Sequence, residues 1–314
     1  MAENEDSGYV VMTETVTVDG CTIRFELHGG GIPLVYTPGA FYSLESSRLV
    51  ADALVPLGYQ VLLWDRPNTG GADLLFEPTH MLRLWADKLD GLLDHLGISS
   101  AYVAGVTNGL LASLHFAVWY PARVRGLILV AALEDDPKWW EAVAEASFLE
   151  PARVMREEGM AAALALGEGQ WGVFDWRDQF RLAPRKREQL LAMDPAKAAA
   201  TLCVWAASYL EAGLPWAGGL TQEELAAIDI PAIVFSGPGE ELKTFPFHSA
   251  DDAKRLHEVL PTSQLVISSE YLSDDWAGVL EQLRPADRTF EPLVAALAGR
   301  IDEFIHSVER RHHP

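Results

Sequence analysis

Short apolar runs and amphipathic stretches alternate along most of the chain. Runs with strand character fall at residues 9–18, 21–27, 33–37, 60–64, 101–105 and 126–131. After the first pair they are separated by segments of helical period at 44–57, 80–96 and 109–119. Leu127, Ile128, Leu129 and Val130 are apolar at successive positions, the pattern of a strand buried on both faces of a parallel sheet. The alternation stops after Ala132. Residues 135–228 are helix-like and poor in strand signals, and they carry Trp139, Trp140, Trp171, Trp176, Trp205 and Trp216. A strand at 232–236, a helix at 249–259, a strand at 264–268 and an amphipathic helix at 290–308 then restore the earlier grammar. The pattern predicts an α/β fold with a mostly parallel sheet flanked by helices. Its core is built from residues 1–134 and 229–314, and residues 135–228 are inserted as a helical layer.

Composition narrows the function classes. The 314 residues are 49% hydrophobic and 22% charged, the balance of a globular protein. A chain of this size buries roughly 75% of its unfolded surface, enough for a core without metal or disulfide staples. The formal net charge of −21 repels phosphate backbones and anionic lipid heads, so neither nucleic acid nor a membrane surface is an expected partner. The same charge also describes a plain solvated acidic surface. Cys21 and Cys203 show no CxxC or Cys/His metal spacing and read as small core residues. The opening MAENEDSGYV is acidic where a signal peptide needs a basic start. The longest apolar runs, such as 127–133, are far short of the ~20 residues that span a bilayer. A cytoplasmic protein with no metal and no nucleotide cofactor is the expectation.

The order of signals resembles the α/β-hydrolase superfamily from about residue 12 to residue 308. The matching pieces are GGGIPLVYTPGAF at 29–41, GYQVLLWDRPNTGGAD at 58–73, YVAGVTNGLLAS at 102–113, YPARVRGLILVAAL at 120–133 and IDIPAIVFSGPGEE at 228–241. Gly105-Val106-Thr107-Asn108-Gly109 stands where that family places its G-x-S-x-G nucleophile elbow, between a buried strand and a helix. Thr107 holds the centre in place of Ser. Its hydroxyl can act as a nucleophile, but the extra methyl restricts χ1 and crowds the approach to a carbonyl. The other reading of the segment is a retained turn with a retired nucleophile.

The resemblance implies further site residues. The oxyanion donors would be the backbone N–H of Asn108 and that of Ala40 or Phe41, in Thr37-Pro38-Gly39-Ala40-Phe41. The acid would be Glu240 or its neighbour Glu241, in Gly237-Pro238-Gly239-Glu240, or else Glu134 before the insertion. The family expects a histidine after the last strand, but residues 266–275 read VISSEYLSDD. Of the nine histidines, His248 in Phe245-Pro246-Phe247-His248 is the best substitute base, and Tyr271 is a further proton-transfer candidate. His115 lies two turns past Thr107 and reads as a core or interface residue, while His80 reads as a helix cap. His28-Gly29-Gly30-Gly31 imitates a lipase motif but stands one strand too early, so it reads as a turn. Asp65 and Arg66 read as structural, and the glycines after them lack the order of a nucleotide loop. The Trp-rich insertion resembles the family's cap, whose aromatic side chains would enclose a small apolar or aromatic molecule.

Three functions are compatible with these residues: a hydrolase of a small apolar ester, lactone or related carbonyl compound, a cofactor-free lyase, isomerase or cyclase in the same pocket, and a non-catalytic ligand-binding protein. If the chain has a protein partner, a second copy in a homodimer is the expectation.

Overall fold

The computed structural model describes residues 12–39, 42–169, 183–210, 213–237, 249–268 and 291–312. Its strands are β1 (Glu14–Val18), β2 (Cys21–Gly29), β3 (Ile32–Thr37), β4 (Tyr59–Asp65), β5 (Ala101–Val106), β6 (Val124–Val130), β7 (Ala232–Ser236) and β8 (Ser263–Ile267). They form one sheet in the order β1-β2-β4-β3-β5-β6-β7-β8. The β1/β2 and β2/β4 pairs are antiparallel and every other pair is parallel. The carboxyl ends of β3 through β8 therefore share one edge, where Thr37 faces Gly105, Val106 faces Val130 and Ser236 faces Ile267.

The helices of the sheet layers are α1 (Arg48–Leu54), α2 (Met81–His95) and α3 (Asn108–Trp119). Between β6 and β7 come α4 (Pro137–Ala144), α5 (Glu150–Glu157), α6 (Met160–Gly169), α7 (Arg185–Ala192), α8 (Pro195–Leu210) and α9 (Gln222–Ala226). Helices α10 (Ala250–Val259) and α11 (Glu291–His312) follow. The helical stretch expected at 44–57 becomes an α-helix only in its middle. Turns of 3-10 type at Leu44–Ser47 and Val55–Leu57 flank α1. Pro56 in the second turn lacks the amide that a longer α-helix would need there.

The sheet divides the interior into two layers because successive strand residues point to opposite faces. Tyr102, Ala104 and Val106 of β5 join Ile128, Phe235, Leu54, Leu297, Ile301 and Ile305 on the side of α1 and α11. Val103 faces the other way, with Leu127, Leu129, Trp64 and the buried faces of α2, α3 and α10. Tyr59 and Tyr102 donate to Asp302 and Glu309 of α11 at 2.6 and 2.7 Å, which fixes that helix against the sheet. Helix α3 is buried continuously from Gly109 to Ala117, as a helix must be when it lies between a sheet and a further layer.

That further layer is the segment between β6 and β7, which contains no strand among its described residues. It packs on itself through aromatic rings. Tyr209 stacks on Trp140 and Phe148, and Trp205 meets Phe148 edge-on. It is fastened to the loop after β4 by α7, where Lys186 Nζ donates to Thr69 O and Gly70 O at 3.0 and 2.7 Å. Arg185 beside it holds Gly71 O and Asp73. Among the described residues no single helix is long and apolar enough to cross a membrane. The pair α7 and α8 passes that test together but bends by 102°.

His28 closes β2 and leads into the turn to β3, one strand before the site, in keeping with the reading of HGGG as a turn. Its Nε2 lies 3.0 Å from Glu26, which also accepts from Thr13 and from two nitrogens of Arg48. Burial alone would raise the Glu26 carboxyl, but the hydrogen bonds from His28, Arg48 and Thr13 outweigh it and bring the pKa down to about 2.

Two predictions follow from these contacts. Since the folded-state pKa of Glu26 lies below its ordinary value, its contribution is present above pH ~4.5 and is lost as pH falls toward 2. Urea unfolding of wild type and Glu26→Gln across that interval should show about 3 kcal/mol more acid loss in the wild type. Parallel curves would contradict it. Gly299 sits on α11 with open space where a Cβ would go, so Gly299→Ala should raise unfolding stability by about 1 kcal/mol.

Candidate active site

The turn between β5 and α3 is tightly constrained. Thr107 sits there at φ 50°, ψ −117°, a left-handed region that a β-branched residue enters only under strain of order 1–3 kcal/mol. The turn is held by Thr107 N–H donating to Val130 O at 3.1 Å and by Leu110 N–H donating to Thr107 O at 2.8 Å. Glycines make it sterically feasible. A Cβ on Gly105 would overlap the Gly109 carbonyl, and one on Gly109 would overlap the Thr37 carbonyl. The start of α3 thus lies directly on both β5 and the exit of β3.

The exit of β3 also touches Thr107. A Cβ at Gly39 would collide with Thr107 Oγ1, so this hydroxyl lies against the Gly39 backbone. Asn108, the first residue of α3, is half-buried, as is Thr107. A helix N-terminus presents backbone donors, and the position of Asn108 suits it to meet negative charge developing beside Thr107. The other two oxyanion candidates, Ala40 and Phe41, lie outside the described residues, as do Glu240, Glu241, His248 and Tyr271.

Glu134 is described. It stands four residues past β6, half-buried, where its Oε1 accepts from Asp135 N–H at 2.8 Å and its carbonyl accepts from Trp140 Nε1 at 2.7 Å. Burial, and after it the carboxylate of Asp252, push the Glu134 pKa up, while the Asp135 N–H and Arg255 pull the other way. Its carboxyl is therefore engaged with its own backbone neighbour and with the charges of α10, in the loop after β6, the strand that pairs with β5.

Buried polar groups at the end of β4 support this region. Asp65 is fully buried and accepts from Leu44 N at 2.7 Å, Gly71 N at 2.6 Å and Arg24 Nε at 2.5 Å. Arg24 in turn grips both oxygens of Glu45 at 2.7 Å. Arg66 is equally buried, lies over the Trp85 ring at 4.5 Å and donates to Gly39 O at 3.3 Å. Burial lowers its pKa to about 9 against the opposing pull of Asp65. Adjacent residues at the end of β4 thus hold Gly39 and Leu44, on either side of the segment with the oxyanion candidates. Both residues do the structural work the sequence implied. Lys186 and Arg185 were not singled out, although their position in a basic run, Arg185-Lys186-Arg187, inside an acidic protein was a signal. His115 is buried as expected, and His80 caps α2 by accepting from Leu82 N–H.

No family model matches the chain. Curated relatives include the uncharacterized hydrolase YcgS of Bacillus subtilis, 30% identical over 125 residues, 39% of this chain and 42% of that one. A 2-hydroxy-6-oxononadienedioate/2-hydroxy-6-oxononatrienedioate hydrolase of Burkholderia vietnamiensis is 38% identical over 111 residues, 35% and 36% of the two chains. A 3-oxoadipate enol-lactonase of Acinetobacter baylyi is 27% identical over 69% of this chain and 73% of its own length. The first two matches thus span well under half of those relatives. Among solved structures, the enol-lactonase of Burkholderia xenovorans superposes with a TM-score of 0.57 at 17% identity, covering 93% of this chain and 100% of the other. An esterase of Thermogutta terrifontis does so at 0.59 and 20%, covering 96% and 99%.

The chain has the α/β-hydrolase fold. Thr107 occupies the positive-φ turn that leads from β5 into α3. Strain stored at this residue should be measurable. Replacing Thr107 by Gly, which adopts positive φ freely, should raise the free energy of urea unfolding by about 1 kcal/mol despite the loss of a side chain. Gly109→Ala should lower it by at least about 3 kcal/mol, because backbone atoms must move apart. A destabilised Thr107→Gly would show that the turn carries no stored strain.

Proposed function

We propose that this protein hydrolyses a small apolar ester, lactone or related carbonyl compound, with Thr107 as its nucleophile. The observation that carries the reading is the strained elbow that lays the Thr107 hydroxyl against Gly39. Sites store backbone strain where a side chain must be presented in one direction. The lactonase and hydrolase names of the relatives add to it.

In this reaction Thr107 Oγ1 attacks the carbonyl carbon while its proton passes to His248. The oxyanion of the tetrahedral intermediate is held by the N–H of Asn108 and that of Ala40 or Phe41. The intermediate collapses, the C–O bond to the leaving group breaks, and the leaving oxygen takes the proton from His248. A water molecule, deprotonated by the same imidazole, then releases the acid and restores Thr107. Glu240 or Glu134 orients the base. The insertion serves as a cap, and its ring cluster of Trp140, Phe148, Trp205 and Tyr209 gives the chamber its preference for apolar or aromatic ligands.

A second reading has one observation in its favour. The raised pKa of Glu134 lets it hold a proton to higher pH than an ordinary carboxyl and makes it a stronger base when ionised. A lyase, isomerase or cyclase that uses Glu134, His248 or Tyr271 for proton transfer at the same pocket would need no acyl intermediate. A ligand-binding protein without turnover is the third arrangement.

Turnover of short-chain p-nitrophenyl esters and simple lactones by wild type, Thr107→Ser and Thr107→Ala separates them. The hydrolase reading expects activity in wild type, at least as much in Thr107→Ser, and a loss of about 10³-fold or more in Thr107→Ala. Equal rates in all three variants, or silence in all three, would overturn it.

A further inference from the structure

The insertion is rooted in the core at a second point besides the α7 clamp. Just before α9 the chain makes the turn Leu214 to Leu220, closed by Leu214 N–H donating to Leu220 O at 2.8 Å and Gly219 N–H donating to Leu214 O at 2.9 Å. Gly218 lies at φ +66°, and a Cβ there would overlap a methyl of Leu82 and come within 3.1 Å of His115 Nε2. The turn is therefore seated with its backbone directly on α2 and α3.

Two histidines seat it. His80 opens α2, and its Nδ1 accepts from Leu82 N–H at 3.2 Å, so its Nε2 must carry the hydrogen that it donates to Gly218 O at 3.1 Å. His115, one layer deeper on α3, places its Nε2 3.2 Å from Ala217 O. Its Nδ1 is buried without a hydrogen-bond partner among the described residues. The ring centres are 5.0 Å apart, and Trp119 packs edge-on against both.

We propose that His80 and His115 form a proton-operated latch, which holds the end of the insertion on α2 and α3 while both rings are neutral and releases the turn when the pair takes up a proton. A proton on His80 must go to Nδ1, where it would face the Leu82 N–H, donor against donor. It would also place a cation at the positive end of the α2 dipole. A proton on His115 would enter a buried site with no acceptor for it. Among the described residues, the charged groups around the pair are Glu224 of α9, which acts on His80, and Arg83 of α2, whose guanidinium lies over the Trp119 ring at 4.9 Å. Glu224 and the Gly218 carbonyl favour the protonated form, and burial outweighs them at His80. At His115 burial, and after it the neighbouring His80, lower the pKa to about 3.

Both docked pKa values lie below the ordinary histidine value of about 6.5. Docking is therefore complete above that pH and weakens as pH falls below it, because the released rings bind protons more readily than the docked ones. The latch is independent of whether Thr107 is a nucleophile.

Hydrogen exchange of the full-length protein, read on residues 213–220 and corrected for intrinsic rates, tests this at pH 7.5 and 5.0. Protection of this segment in the wild type should fall several-fold at the lower pH, while residues 294–308 of α11 keep theirs. His80→Gln, which cannot be protonated, should weaken the pH response, because only His115 then remains to take up a proton. Equal wild-type protection at the two pH values, or a response that persists unchanged in His80→Gln, overturns the latch. The wild-type comparison decides even where a variant does not fold.

Discussion

Everything around the candidate site depends on one steric constraint, the close approach of three backbone segments at the carboxyl edge of the sheet. The end of β5, the start of α3 and the exit of β3 meet so tightly that Gly105 and Gly109 have no room for a Cβ. The residue between them is forced to positive φ. Thr107 accepts that conformation although a β-branched residue is among the least suited to it. The same packing lays Gly39 against its hydroxyl and places the α3 N-terminus beside it.

The constraint holds because the loops above it are pinned by buried polar groups. Asp65 gathers Leu44, Gly71 and Arg24 around one carboxylate, and Arg66 reaches Gly39 from the next position. A buried carboxylate with three donors is costly to break, since losing one partner leaves a desolvated charge behind. Lys186 and Arg185 fasten the insertion to the same loop, so that loop joins the insertion to the buried groups at the end of β4. His80 and His115 fasten the insertion's other end through the carbonyls of Gly218 and Ala217, the contacts on which the proposed latch rests.

The sheet was legible in the sequence because its signals are local. Continuous apolar runs marked β5, β6 and β7, and the alternation of strands with helices marked the parallel order. The elbow was legible for the same reason: Gly-x-Thr-x-Gly between a strand and a helix is a local pattern whose geometry follows from the glycines. The antiparallel start of the sheet was recognised as a pair of strands, with β1 beginning at Glu14. The supports were not legible. Arg24 and Asp65 lie 41 residues apart and Lys186 and Thr69 lie 117 apart, and no periodicity reports a pairing at such separation. Arg66 could be noted but not valued from sequence, since its burial against Trp85 and Gly39, distant in the chain, decides its environment. His80 shows the opposite case: its role as a cap follows from its place before an amphipathic run, while its bond to Gly218 does not.

The central claim is that the elbow presents Thr107 as an activated nucleophile. Labelling with a fluorophosphonate, which phosphonylates a hydroxyl only where a base has activated it, followed by peptide mass mapping, tests that claim directly. The account predicts a single adduct on Thr107, formed in the native protein and absent after unfolding. A native protein that takes no adduct, or takes it on another residue, would contradict it.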